Sequence, residues 1–159
     1  MLLHVWDKDK NMTVICWDGT SLAADKLATY GNISCTITKI FRIKGSLIGF
    51  AGSVAFGEQM LAWIEGGENP SDFPAGQRDK DDWAELLIIR PDKKIQAYSR
   101  TAYPITYEDT QFAIGSGGDL ALAAMYCGKN AAEAVLVASA LSAHCGNGVD
   151  TLEYDKCLG

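Results

Sequence analysis

Hydrophobic and polar positions alternate with a period near two over the first third of the chain, and the period then changes twice. From Thr13 to about Gly52 the runs "TVICW", "TSLAAD", "NISCTITKIFRI" and "SLIGFAG" are short and rich in Ile, Val, Thr and aromatics. Gly-containing turns separate them, so each reads as a strand. Between Val54 and Glu65 the spacing lengthens. Phe56, Met60, Trp63 and Ile64 fall at i, i+4, i+7 and i+8, a helical stripe that stops at Gly66-Gly67. The stretch "GGENPSDFPAGQRDKDD" (66–82) is polar, carries two prolines, and is expected to be a mobile loop.

Strands return with "WAELLIIR" and "KIQAYSR", joined through "PDK", where Pro91 presets φ for a turn. A further strand, "QFAIGSG", leads into a helix from about Asp119 to Cys127. Asn130 is placed to cap a second helix, with Glu133 at the capping-box position. Ala134, Ala138, Leu141 and Cys145 share one face of that helix, and Gly146 is expected to end it. A last strand is expected at about Val149–Tyr154. The order is four strands, a helix, three strands, two helices and a strand. Blocks of strands separated by blocks of helices give an α+β class, with antiparallel sheets covered by helices rather than βαβ units.

At 159 residues the chain is expected to form one domain with a substantial core. A formal net charge of −6 and a sequence pI of about 4.8 argue against nucleic acid or an anionic membrane as partner, since both require a basic surface. No apolar run approaches the roughly 18–20 residues of a membrane helix. "DKDKN" follows the apolar Met1–Trp6, so no signal-peptide core forms. The five cysteines include no CxxC pair, which suggests reduced thiols and a cytoplasmic setting. With only His4 and His144 as histidines and no clustered ligands, neither a zinc site nor any other cofactor is expected.

Candidate chemistry begins at Thr13. A threonine hydroxyl is a weak nucleophile unless a base lies within hydrogen-bond reach, and the residue's own free α-amine is one solution. That amine titrates near 7.7–8.0 when unperturbed, so much of it is protonated at neutral pH. A lysine cation beside it favours the basic form, and such a lysine needs a carboxylate to hold it. The developing oxyanion needs a backbone N–H, best supplied by a glycine that lets substrate approach. The chain offers each part at a separate strand end: Thr13 at the first, Asp25 at the second, Lys39 in "TITKIF", Gly52 in "FAGS" and Ser116 in "GSGGD".

Taken singly, each has a blander reading. Thr13 is a strand-start threonine, Lys39 a solvated edge lysine, and Asp25 a strand terminator. "GSGG" is a flexible turn or an anion-binding nest, His144 a helix-end residue favoured by the dipole, and Cys16 a small buried hydrophobe. The ordered set is what gives weight to the chemistry.

"MTVICWDGTSLAADKLATYGN", "TKIFRI", "GFAGS", "AIGSGGDLALAAM" and "NAAEAV" together resemble the proteasome β-subunit family, and within it the HslV-type peptidases and their short bacterial and phage relatives. The resemblance runs in order from Thr13 to about Leu152. It implies an N-terminal nucleophile hydrolase fold, a four-layer αββα sandwich of two antiparallel sheets flanked by helices. It also implies threonine-type endopeptidase activity on a peptide or protein substrate, in a homo-oligomeric ring, and leaves room for a partner ATPase. By position, Thr13 matches the nucleophile and base amine, Asp25 the acid, Lys39 the tuning lysine, Gly52 the oxyanion glycine and Ser116 the serine near the amine.

Three departures stand out. The turn at WDG is about two residues tighter than in long members of the family. The loop from Gly66 to Asp82 stands where those members carry a longer second helix. Ser142 and Cys145 stand where many members carry Asp and Ser or Thr. Thr13 is also not the first residue. Residues 1–12 are expected to be an extension, either a propeptide cut by Thr13 itself or an upstream artefact of a true start at Met12, with 13–159 as the proteasome-like domain. While it is attached, the nitrogen of Thr13 is an amide without basicity. Two rivals therefore accompany the peptidase reading: a catalytically silent proteasome-like assembly protein, such as a phage component, and an amidase with the same nucleophile.

Overall fold

The computed structural model describes residues 13–75 and 83–155. The extension 1–12 and the second half of the expected mobile loop, 76–82, lie outside the described residues. The N-terminal strands are β1 (Ile15–Trp17), β2 (Ser21–Asp25), β3 (Leu27–Tyr30), β4 (Ile33–Thr36), β5 (Ile40–Ile43) and β6 (Ser46–Gly52). Helix α1 (Val54–Glu65) follows, then β7 (Ala84–Ile89), β8 (Ile95–Tyr98), β9 (Ile105–Tyr107) and β10 (Phe112–Ile114). Helices α2 (Gly118–Tyr126) and α3 (Ala131–Leu141) precede the final strand β11 (Val149–Glu153). One sheet has the order β10-β1-β2-β11, a second β5-β6-β7-β8-β9, and β3-β4 pair as a separate hairpin. Every pairing is antiparallel.

Side-chain alternation along the strands builds the layers. In β1, Ile15 and Trp17 enter a core shared with Leu47, Ala51, Leu87 and Ile89 of the second sheet. Cys16 and the preceding Val14 face Ala121, Ala134 and Ala138 of α2 and α3. In β6 and β7, Ile48, Phe50, Leu86 and Ile88 turn the other way, onto Phe56, Met60, Trp63 and Ile64 of α1. Three apolar layers therefore separate four structural ones, an αββα sandwich. Gly49 and Gly57 set two of the spacings. An added Cβ at Gly49 would lie 2.8 Å from Ile15, and one at Gly57 2.5 Å from the Phe50 ring, so these glycines permit the strand–strand and helix–strand approaches.

The α1 stripe and the Asn130–Glu133 capping box form as the sequence indicates. Several features differ, among them the added strand β9. "NISCTITKIFRI" is two strands, and "LATY" folds back on the first of them as β3. Helix α3 ends at Leu141, with Ser142 as its cap, rather than continuing to Gly146. Leu141, on the face of Ala134 and Ala138 but in the last turn, is 69% exposed. The polar loop also winds a short 3₁₀ turn at Pro70–Asp72. Among the described residues, no helix is long and apolar enough to cross a membrane, and no group of His, Cys, Asp and Glu could hold a metal ion.

Candidate active site

The strands deliver Thr13, Asp25, Lys39 and Ser116 to one end of the first sheet. Asp25 closes β2 opposite Val149 of β11, and its backbone N–H donates to the carbonyl of Val14 at 3.2 Å, which brings its side chain beside the start of β1. Lys39 lies one residue before β5, and its carbonyl accepts from the Phe50 N–H at 3.1 Å. Its side chain then crosses to the first sheet. The Lys39 Nζ donates to Asp25 Oδ1 at 2.8 Å and to Thr13 Oγ1 at 3.0 Å. Thr13, Asp25 and Lys39 are 4%, 0% and 2% exposed, so the arrangement is sealed within the fold.

A buried carboxylate requires full hydrogen bonding. Asp25 has it. Oδ1 accepts from the Val14 N–H at 3.0 Å as well as from Lys39, and Oδ2 accepts from Leu27 N–H at 3.3 Å and Gly146 N–H at 3.0 Å. For Lys39, burial draws the pKa below the ordinary lysine value, and the Asp25 carboxylate offsets only part of that effect. The result is an ammonium more easily deprotonated than a surface lysine, held on the Thr13 hydroxyl.

The other wall is the "GSGG" turn between β10 and α2. Thr13 N–H donates to Ser116 Oγ at 3.3 Å, and the Thr13 carbonyl accepts from Gly117 N–H at 3.1 Å. This approach needs glycine. Gly115 has φ of +89°, and a Cβ there would lie 2.2 Å from the Thr13 carbonyl oxygen. A Cβ on Gly117 would lie 2.6 Å from the Cys145 sulfur. Cys145 is buried, and its thiol pKa is raised first by burial and then by the Asp25 charge, with Ser142, Lys39 and Ser116 acting in the opposite direction. Cys145, one of the departures from the family pattern, therefore lies beside this turn. A neutral thiol thus borders Ser116.

Gly52 lies in the other sheet, paired with Ala84 of β7. It ends β6, two residues past Phe50, with φ of +114°, a conformation open to glycine and strained for other residues. Ser53 follows as the cap of α1, accepting from Phe56 N–H. The loop Gly146–Gly148 was not assigned to the site, although Gly146 donates to Asp25. In the 159-residue chain the Thr13 nitrogen belongs to the Met12–Thr13 peptide bond.

No protein-family model matches the chain, and no curated protein matches it significantly. Solved structures do. BPH of Thiobacillus denitrificans aligns at a TM-score of 0.64 and 19% identity, covering 90% of this chain and 98% of that one. The same protein in complex with epoxomicin aligns at 0.66 and 21% identity, covering 90% and 99%. The eukaryotic HslV of Trypanosoma brucei aligns at 0.65 and 22% identity, covering 89% and 97%. The chain shares the fold of these proteins over nearly its whole described length.

Proposed function

We propose that this protein is a threonine-type endopeptidase of the proteasome β-subunit kind, in which Thr13 is the nucleophile once its amine is exposed. The observation that carries this reading is the buried lysine bridging Asp25 and the Thr13 hydroxyl. A structural ion pair does not require a threonine Oγ as its third member.

In the reaction, the freed Thr13 amine takes the Oγ proton as Oγ attacks the scissile carbonyl. The Lys39 cation keeps the amine basic and stabilises the developing alkoxide. The tetrahedral oxyanion is held by the Gly52 N–H. Collapse of the intermediate passes the proton to the leaving amine and leaves an ester on Thr13, which water then hydrolyses. Ser116 orients the Thr13 nitrogen throughout. While the nitrogen is acylated, the Lys39 ammonium 3.0 Å from Oγ would stabilise the alkoxide as Oγ attacks the Met12 carbonyl. The Oγ proton passes to the departing Thr13 nitrogen, residues 1–12 are left as an ester on Oγ, and water hydrolyses that ester to leave Thr13 with a free amine and hydroxyl.

The test is a covalent label. A chain whose first residue is Thr13, treated with epoxomicin, is expected to gain one adduct by intact mass, located on Thr13, and Thr13→Ala is expected to gain none. No adduct on a free Thr13 would favour the silent assembly protein, to which the neutral Ser142 and Cys145 also point. A small-amide preference over peptides would favour the amidase.

The proposal extends to a cytoplasmic ring of identical subunits with 13–159 as one domain, and a partner ATPase is compatible with it. The outward faces of α2 and α3 carry Tyr126, Leu136 and Leu141 at 80%, 58% and 69% exposure, apolar surface of the kind that neighbouring subunits cover. Light scattering is expected to give a mass many times that of one chain. A stable monomer at micromolar concentration would remove the ring.

A further inference from the structure

The chain between Asp25 and Lys39 is the β3–β4 hairpin, and both of its stems are residues of the site. β3 begins at Leu27 and β4 ends at Thr36, and the base is closed by the Ile37 N–H to Lys26 carbonyl bond at 2.9 Å and by the Lys39–Asp25 ion pair at 2.8 Å. Among the described residues, the two strands pair with each other and with no third strand. Tyr30 and Ile33 at the tip are 80% and 65% exposed. A two-stranded hairpin is marginal alone, so its angle to the body depends on contacts from elsewhere. A shift in that angle acts on both stems at once.

Those contacts come from the loop after α3. Asn147 Nδ2 donates to the Cys35 carbonyl at 3.0 Å, to Ser34 Oγ at 3.2 Å and to Thr36 Oγ1 at 3.3 Å. An amide NH₂ has two hydrogens for these three acceptors, so at least one is shared, and the group spans β4 along its length. Asn147 has φ of +62°, a left-handed conformation that asparagine tolerates better than most residues. One residue earlier, Gly146 donates its N–H to Asp25 Oδ2 and accepts at its carbonyl from Lys26 N–H at 2.9 Å. A single short loop thus grips the carboxylate of the site and the hairpin that connects that carboxylate to Lys39.

We infer that Asn147 is a positioning residue. By fixing β4, it holds the hairpin stems at the spacing that keeps Lys39 Nζ on both Asp25 and Thr13 Oγ. The catalytic side of this inference rests on the peptidase reading, whereas the latch itself does not.

The test compares Asn147→Gly, which keeps the left-handed backbone and removes the donors, with the parent, both beginning at Thr13. The first readout is amide hydrogen exchange. Residues 27–36 are expected to exchange about tenfold faster in the variant, with α3 and β6 unchanged. The second is the rate of epoxomicin labelling against pH. It is expected to fall about tenfold at saturating reagent, with its midpoint moved upward as the Lys39 cation is held less closely to the amine. Ser34→Ala, which removes one acceptor, is expected to give a smaller change of the same sign. Unaltered hairpin exchange, or exchange raised equally throughout the molecule, would overturn the latch. A faster hairpin with an unchanged labelling rate and midpoint would overturn the link to the site. A parent that never labels would instead overturn the peptidase reading, and the exchange measurement would still decide the latch.

Discussion

A chain that begins at Thr13 is expected to cleave peptides, and the 159-residue chain is expected to be inert until it is cut between Met12 and Thr13. The difference follows from one atom. In the longer chain the Thr13 nitrogen is a peptide amide, whose N–H donates to Ser116 Oγ at 3.3 Å and has no basic lone pair to offer. In the shorter chain it is an amine, adjacent to its own Oγ and close to a buried lysine. Methionine removal after a start at Met12 would produce it directly, since threonine is a small neighbour.

The pH dependence has a definite sign. The amine is a base whose neighbour Lys39 is a cation, so its pKa falls below the unperturbed value of about 7.7–8.0. Activity is expected to rise as pH rises through that lowered value and then to level off, as the basic form fills. Two measurements check this together: N-terminal sequencing of both chains, and initial rates from pH 5 to 9. Equal activity of the two chains, with the longer one still carrying Met1, would eliminate the amine as base. A midpoint above 8 in the shorter chain would show that Lys39 does not act on it as a cation.

Much of this architecture was legible in the sequence, and the parts that were not have physical reasons. The α1 stripe was readable because one side of that helix meets solvent, so burial left a periodic trace. β1, β6 and β7 are buried on both faces. Their apolar runs therefore say "strand" without saying which residue faces which layer. The separation of Val14 and Cys16 from Ile15 and Trp17 is imposed by what packs on each side. The β3–β4 hairpin was signalled by Gly31-Asn32, a two-residue turn of the hairpin type, but the strong run after Asn32 masked the break at Thr36. β9 is three residues long and mostly exposed, and left no pattern to read.

The site shows the same division. Residue types and strand-end positions suggested Thr13, Asp25, Lys39 and Ser116, and the four are joined by hydrogen bonds. The blander reading of Lys39 as a solvated edge residue does not hold, since it is 2% exposed. Gly146 reaches Asp25, and Asn147 the β3–β4 hairpin, because α3 ends early and the following loop turns inward. A loop path of this kind is set by tertiary contacts, and no periodicity announces it.

Replacing Lys39 with methionine is expected to lower kcat by about 10²–10⁴-fold, the usual consequence of losing a positioned acid–base component. It is also expected to destabilise the fold. The substitution keeps the apolar stem and removes the ammonium, which leaves Asp25 Oδ1 with only the Val14 N–H and places an unpaired carboxylate at 0% exposure. Breaking a buried pair from one side typically costs about 3–5 kcal/mol. At this chain length each kcal/mol moves the melting point by roughly 2–4 °C, so a fall on the order of 10 °C is expected. The two losses can be separated by neutralising both partners. Lys39→Met with Asp25→Asn removes the stranded charge, and the Asn carbonyl still accepts from backbone N–H groups. Melting temperature is therefore expected to recover most of the way toward that of the parent, while kcat stays low because nothing now faces Thr13 Oγ with a positive charge. Calorimetry and steady-state rates on the single and double variants, each beginning at Thr13, give the answer. If activity returned together with stability in the double variant, Lys39 would be a structural partner of Asp25, and the base chemistry at Thr13 would have to come from another group.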